Sequence, residues 1–267
     1  MRTEAVSQYI VEWLIQRLES SKAQGFVVGV SGGIDSAVTS TLCAKTGFPV
    51  IVLNMPIHQE PTQHNRAIEQ SEWLMNSFDN VQATTIDLTD SFEEIKKIEF
   101  EQVGKLDDLS YVNMASRLRM LTLYMISNSN NYLVAGTGNK VEDYGIGFFT
   151  KYGDGGVDIS PIADLLKSQV YNIASYFGIP NSIQKATPTD GLWEDNRTDE
   201  DQIGASYDEL EWALEAYDEG NTDNLTNRQK EVMGIYSRRH ISTKHKLETP
   251  PVCIIPNDLL DNKGSES

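Results

Sequence analysis

Residues 25–44 read GFVVGVSGGIDSAVTSTLCA. The apolar run from Phe26 to Val30 is typical of a buried strand, and residues 31–36 form a glycine turn that contains an aspartate. A helical pattern follows and ends at Lys45. Strand, tight turn and helix in this order predict the start of an open parallel sheet, in which ligands bind at the carboxyl ends of the strands.

The same alternation of strand and helix continues along the chain. The hydrophobic spacing predicts further strands over 49–55, 81–86 and 132–138. It predicts helices over 4–20, 36–45, 62–77, 88–99, 109–127, 164–177, 206–217 and 225–239. We therefore expect an α/β fold, a Rossmann-like doubly wound parallel sheet flanked by helices. We expect one domain over 1–267 with a polar tail at about 257–267.

Composition limits the possible partners and the compartment. The 267 residues carry a formal net charge of −17, and a nucleic-acid-binding protein normally shows a basic footprint. No apolar run approaches the roughly 18 residues of a membrane span. The N-terminus does not resemble a secretory signal, and Cys43 and Cys253 lack metal-ligand or redox spacing. We expect a cytoplasmic protein with reduced thiols and no nucleic-acid or membrane partner.

The glycine turn has the composition of an anion site without a lysine. Gly32 and Gly33 allow the backbone to approach an anion, and the following helix supplies N–H groups. The turn lacks the lysine of a Walker A loop, so phosphate charge requires another source of neutralisation. Asp35 can provide it only through a cation, and Mg²⁺ held by carboxylates and phosphate oxygens fits. The alternative is a glycine turn whose Ser or Asp merely caps the helix.

A second glycine-rich stretch, GTGNKVEDYGIGFFTKYGDGGVDISP, covers residues 136–161. We expect a long loop without regular structure, and such loops are usually functional or disordered. Its glycines and aromatic residues argue against plain disorder. We expect residues 138–157 and 187–204 to be mobile without ligand and to close over it.

Both stretches resemble a known family. Ser-Gly-Gly-x-Asp-Ser resembles the PP-loop of ATP pyrophosphatases, whose fold is adenine nucleotide alpha-hydrolase-like. The second stretch closely resembles NAD synthetases, as do SRLRM before it, PTDGL after it and TKHK at 243–246. The resemblance covers nearly the whole chain.

The resemblance implies a reaction in two steps. ATP adenylates the pyridine carboxylate of nicotinic acid adenine dinucleotide (deamido-NAD), and ammonia then attacks the acyl-adenylate to give NAD, AMP and pyrophosphate. Some relatives carry an N-terminal glutaminase domain, for which the first strand at residue 26 leaves no room. The resemblance also implies Mg²⁺ and a homodimer. Apolar stripes offer modest support for an interface but could equally be core; they comprise Trp13, Tyr207, Leu210, Leu214 and Tyr217.

Site residues carry over by position. The resemblance assigns ATP binding to Gly29, Val30, Ser31, Gly32, Gly33, Ile34, Asp35, Ser36, Thr137, Lys167 and Thr189. It assigns deamido-NAD binding to Arg117, Lys151, Asp158, His245 and Lys246. It makes Asp35 and Glu142 Mg²⁺ ligands, and Asp35, Lys151 and Lys167 catalytic. Arg119 is interpreted as solvated or paired.

Two other functions remain open at this point. One is a different PP-loop ligase that acts on another carboxylate or carbonyl. The other is a non-catalytic nucleotide-binding protein of the same fold, which would not need both Asp35 and Glu142.

Overall fold

The computed structural model describes residues 1–98, 104, 106–189, 198–221 and 223–260. Its strands form one parallel sheet in the order β3-β2-β1-β4. The strands are β1 (Phe26–Gly29), β2 (Val50–Asn54), β3 (Val81–Thr85) and β4 (Leu133–Val134). The predicted strands are confirmed, although β4 is shorter than expected and continues only as a bridge between Ala135 and Ile159.

The helices confirm the predicted alternation, with shifted ends. They are α1 (Thr3–Ser21), α2 (Ile34–Lys45), α3 (Pro61–Ser77), α4 (Thr89–Lys96), α5 (Asp108–Asn130), α6 (Lys167–Phe177), α7 (Asn181–Gln184), α8 (Asp199–Ile203), α9 (Tyr207–Asp218), α10 (Asn227–Thr243) and α11 (Asn257–Leu260). α6 begins three residues later than predicted, and α10 extends four residues further. The predicted polar tail contains α11, and its residues 261–267 lie outside the described part of the chain.

Helices cover both faces of the sheet because side chains alternate along each strand. Phe26 and Val28 pack into a cluster with α1, α2 and α6. Val27 points to the other face, into a cluster with Phe92 of α4 and Ala115 of α5. This is the doubly wound arrangement expected from the sequence, with β1 between β2 and β4.

A third hydrophobic cluster forms beyond the sheet and explains the late apolar stripe. Tyr207, Leu210 and Leu214 of α9 are 8%, 0% and 7% exposed and pack against α10. These residues are core, as the alternative interpretation of the stripe held. Trp13 of α1 is partly buried against the first cluster. The buried α9 residues of the stripe therefore do not mark an interface, whereas Tyr217 is 37% exposed.

The expectation of an irregular second loop was wrong for part of it. Lys140–Ile146 forms one wide turn of π-helix. The Asn139 side chain begins this turn by accepting hydrogen bonds from the backbone N–H groups of Val141 and Glu142, each at 3.1 Å. Val141 and Ile146 are fully buried against α9 and α10, so packing stabilises the turn. Within the described residues, no helix is long and apolar enough to span a bilayer.

Candidate active site

A cavity of about 740 Å³ opens at the carboxyl edge of the sheet. Its wall includes the turn after β1, the end of β2, α5, the segment after β4 and the end of α10. β1 lies between β2 and β4. The connection after β1 adds β2 on one side of it, and the connection after β3 adds β4 on its other side. Such a point in an open α/β sheet leaves a crevice for ligands.

The glycine turn is held in place by its own serines and by α3. Ser36 Oγ accepts a hydrogen bond from the N–H of Ser31 at 3.2 Å and donates to the carbonyl of Gly33 at 3.0 Å. Gly32 has φ of +80°, and a Cβ there would lie 2.5 Å from the carbonyl oxygen of Gln63. Only glycine fits this position, both for its conformation and for its space.

Three charged side chains meet beside this turn. Lys167, the first residue of α6, places Nζ 2.6 Å from Oδ2 of Asp35 and 2.9 Å from Oε1 of Glu142. Asn139 donates from Nδ2 to the other oxygen of Asp35 at 3.3 Å. The sequence predicted that the two carboxylates would need a cation between them, and in this structure the Lys167 ammonium occupies that place.

Burial and charge compete in this cluster. Burial disfavours the charged form of Lys167, but Asp35 and Glu142 outweigh it and raise the pKa of the lysine. Burial also opposes ionisation of Glu142, but Lys167 and Tyr207 prevail and lower its pKa. At Asp35 burial is the larger effect, so the pKa is raised although Lys167 opposes the rise. The cluster therefore carries a partly compensated negative charge.

The oxygens of Asp35 and Glu142 are the type of donor that Mg²⁺ prefers. Within the described part of the chain, no group of three or more His, Cys, Asp or Glu side chains could hold a metal ion. Mg²⁺ commonly takes one or two carboxylates and completes its shell with water and phosphate oxygens. The two carboxylates thus fit a Mg²⁺ that arrives with a nucleotide.

Two lysines join the loop after the π-helix to the chain after α10. Lys151 Nζ donates to the carbonyls of His245 and Glu248 at 2.6 and 3.0 Å. In the opposite direction, Lys246 Nζ donates to the carbonyls of Gly147 and Phe149 at 2.8 and 2.7 Å. Lys151, His245 and Lys246 all line the cavity. The structure thus brings together three of the predicted substrate contacts.

The remaining predicted residues divide into two groups. Arg117 lines the cavity and donates to the carbonyl of Lys151 at 3.4 Å, and Thr137 and Thr189 also line the wall. Asp158 is not among the residues of the wall. Its carboxylate accepts from the N–H of Val134 at 2.8 Å and from the Tyr124 hydroxyl at 3.0 Å. Asp158 therefore ties β4 to α5, and its role as a substrate contact stays a prediction.

Sequence reasoning missed Arg66 and did not predict the contacts that Arg119 and Tyr207 make at the site. Arg66 of α3 lines the cavity and donates to the carbonyl of Gly32 at 3.3 Å. Arg119 also lines it and donates to the carbonyl of Met55 at 3.0 Å, so it is paired as one interpretation held. Tyr207 was interpreted only as an apolar stripe residue, yet its hydroxyl lies 2.5 Å from Glu142. Nothing in a single sequence distinguishes such a tyrosine from a core residue.

Comparison with known proteins supplies the family. The sequence pattern described as NAD synthase matches residues 6–250. The chain belongs to the NAD synthase family.

Individual members of the NAD synthase family align over nearly their full length. An NH(3)-dependent NAD(+) synthetase of Syntrophomonas wolfei is 36% identical over 263 residues, which cover 97% of this chain and 99% of that protein. A solved structure described as NMN synthetase from Francisella tularensis has a TM-score of 0.81 and 32% identity, and covers 96% of this chain and 99% of that one. An NH3-dependent NAD synthetase from Campylobacter jejuni has a TM-score of 0.77 and 25% identity, with coverage of 95% and 100%.

The matched span of the NAD synthase family contains both the glycine turn and the charged cluster. The NAD synthase match includes β1, the π-helix and α6, which position Asp35, Glu142 and Lys167. It also includes Thr243, His245 and Lys246, which line the cavity.

Proposed function

We propose that this NAD synthase family member amidates deamido-NAD with ammonia at the expense of ATP, releasing AMP and pyrophosphate. The observation that carries the proposal is the meeting of Lys167 with Asp35 and Glu142 beside the glycine turn. A non-catalytic nucleotide-binding protein would not need this arrangement.

The first step would form the acyl-adenylate. The turn over Gly29, Val30, Ser31, Gly32, Gly33, Ile34, Asp35 and Ser36 would hold ATP phosphates, helped by the N-terminus of α2. Thr137 and Thr189 would contact ATP. Lys167 and Lys151 would neutralise charge as pyrophosphate leaves, and fixed charges of this kind need no reorganisation during the reaction. ATP supplies the activation, so the chain contributes positioning and charge.

The acceptor would lie toward α5 and the end of α10. Arg117, Lys151, His245 and Lys246 supply positive or polar groups there, which suits a dinucleotide with two phosphates and a carboxylate. Asp158 is proposed as a further contact on resemblance alone. Closing the site would exclude water, which could otherwise hydrolyse the acyl-adenylate.

Mg²⁺ is part of the proposal as a cofactor held by Asp35 and Glu142. When bound it would neutralise phosphate charge, for which the turn itself has no lysine. The protein's own part is to hold the two carboxylates at the phosphate end of the cavity.

Free ammonia is proposed as the nitrogen donor. The support is the NH(3)-dependent NAD(+) synthetase of Syntrophomonas wolfei, which this chain matches over 99% of that protein's length. We also propose a cytoplasmic homodimer.

A mononucleotide acceptor is the second candidate. The Francisella tularensis protein described as NMN synthetase is 32% identical with a TM-score of 0.81. Under this alternative, ATP would activate the carboxylate of nicotinic acid mononucleotide in the same cavity.

One experiment separates the candidates. Purified protein with ATP and Mg²⁺ would be given deamido-NAD or nicotinic acid mononucleotide, each with ammonium or with glutamine. We expect NAD from deamido-NAD and ammonium, with a higher kcat/KM than for the mononucleotide. A preference for the mononucleotide supports the second candidate. Absence of AMP formation with either acceptor would contradict both.

A further inference from the structure

Helix α9 contacts the charged cluster through two residues one turn apart. Tyr207 and Glu211 are four positions apart and therefore lie on the same face of the helix. Tyr207 is 8% exposed, and its hydroxyl lies 2.5 Å from Oε1 of Glu142. Oε1 is also the oxygen that accepts from Lys167. The tyrosine thus fixes the rotamer of one of the two carboxylates.

The same helix holds Lys167. The ammonium of Lys167 lies 4.8 Å from the centroid of the Tyr207 ring, within the range of a cation–π contact. Glu211 accepts from the N–H and the hydroxyl of Ser168, the next residue, at 2.8 and 2.7 Å. A carboxylate at the N-terminus of α6 is favourable for that helix as well. Both the side chain and the backbone of the lysine's segment are therefore tied to α9.

Tyr207 also contacts α8, the short helix Asp199–Ile203. Its backbone N–H donates to Oε1 of Glu200 at 2.9 Å, and its hydroxyl lies 3.2 Å from Oδ2 of Asp199. The hydroxyl has one hydrogen, which goes to the nearer Glu142. The Tyr207 hydroxyl thus contacts both Glu142 of the charged cluster and Asp199 of α8.

We propose that Tyr207 is a positioning residue that holds Glu142 and Lys167 in their productive arrangement and links them to α8. This rests on the proposed function, in which the two residues act on ATP. Loss of the hydroxyl would remove one of the contacts that hold Glu142 and leave its Oε1 paired with Lys167, while the phenyl ring would keep its core packing and its contact with Lys167.

The test is Tyr207→Phe, with Tyr236→Phe as the matched control. Tyr236 is 1% exposed, belongs to the same hydrophobic cluster as Tyr207 and does not line the cavity. The first readout is hydrogen exchange of metal-free, ligand-free protein. We expect faster exchange over 140–146 in Tyr207→Phe, and wild-type exchange there in the control.

The second readout is the Mg²⁺ concentration that gives half-maximal pyrophosphate release. Residues that orient metal ligands typically change metal affinity or activity 10–100-fold, so we expect a rise of about that size in Tyr207→Phe. kcat should fall more than KM for the acceptor rises, because Tyr207 does not touch the acceptor. Wild-type exchange together with a wild-type Mg²⁺ requirement would overturn the proposal.

Two further outcomes distinguish a failure of this proposal from misfolding of the variant and from a failure of the proposed function. If Tyr207→Phe does not fold, Glu142→Leu removes the nearer acceptor, so the hydroxyl hydrogen goes to Asp199 and should slow exchange over 199–203; unchanged exchange there would overturn the proposal. If wild-type protein turns over neither acceptor, the proposed function fails, and exchange alone decides whether Tyr207 joins α8 to the π-helix.

Discussion

At the scale of single residues, the balance of charge around Lys167 makes a prediction about stability. Lys167→Met would leave Asp35 and Glu142 buried without their common cation, and breaking a buried ion pair typically costs about 3–5 kcal/mol. Asp35→Asn would leave Lys167 paired with Glu142, so it should cost much less. Urea unfolding of both variants, with exposed Lys185→Met as the control, measures the difference.

The activities should follow a different order. Asp35→Asn and Glu142→Gln should each lose most amidation activity while remaining folded, because each removes a proposed Mg²⁺ ligand. Steady-state rates at saturating Mg²⁺ check this. Near-normal turnover of both variants would exclude the metal assignment.

Asp143 should make stability depend on pH. Burial first, and then the charges of Asp154, Glu142 and Asp35, raise its pKa well above the ordinary value. A raised folded-state pKa means that stability is lost as pH rises above the unfolded pKa of about 3.9. Asp143→Asn should therefore be more stable than the wild type at neutral pH and equal to it below pH of about 3.9.

Thermal or urea unfolding between pH 3 and pH 8 would show this crossover. Exposed Asp79→Asn is the control and should show no such pH-dependent gain. A gain for Asp143→Asn that is the same at every pH would mean that packing against Gly138, not charge, is the cause.

At the scale of elements, the contacts of Lys151 and Lys246 predict how the loop after the π-helix behaves. Lys246 donates to the carbonyls of Gly147 and Phe149, so Lys246→Met should loosen the loop. Because two hydrogen bonds from a charged group are lost, KM for the acceptor should rise by at least about tenfold. Lys244→Met lies in the same turn but is exposed, and it should have little effect. Hydrogen exchange over 147–151 and acceptor kinetics measure both.

The elements also show what a sequence can and cannot predict. β1 and α2 were predictable because an apolar run ending in a glycine turn has a local signal. The π-helix was not, since its seven residues are too few to show a helical period and the turn depends on packing against α9 and α10. The same applies to Tyr207: its contact with Glu142 joins residues 65 positions apart.

The sequence predicts mobility for residues 138–157 and 187–204 alike, but the structure leads to different expectations for these two loops. Residues 138–157 include the π-helix, which packs into the hydrophobic cluster with α9 and α10 and bonds to His240 of α10, so we expect this loop to be protected from exchange without ligand. In the loop over residues 187–204, α8 is held by Tyr207 and by Arg239, while residues 190–197 lie outside the described part of the chain. Its closure over ligand stays a prediction.

At the scale of the whole molecule, a second cavity bears on the proposed homodimer. It has a volume of about 1500 Å³ and lies between α1, residues 160–166 and α9. Tyr9 and Trp13 line it, and Tyr9 is 70% exposed. An exposed apolar surface of this kind often marks an interface between proteins. We therefore place the proposed dimer contact here instead of on the buried face of α9.

Tyr9→Glu tests the placement. Asp208, Glu211 and Glu215 already line this cavity, so another negative charge should weaken the dimer at least tenfold, about 1.4 kcal/mol. Tyr176→Glu is the control, because Tyr176 is 51% exposed but does not line the cavity. Sedimentation velocity over a range of concentrations gives the dissociation constants. A wild-type monomer at micromolar concentration with full activity would reject the dimer.

The lysine between Asp35 and Glu142 also determines how the protein can be handled. Domains that fold around a structural metal unfold when a chelator removes it. Here the chain supplies its own positive charge at the carboxylates, so the fold does not depend on the ion. Purification and storage in EDTA should therefore leave the melting temperature unchanged, and later addition of Mg²⁺ and ATP should restore full activity without a refolding step.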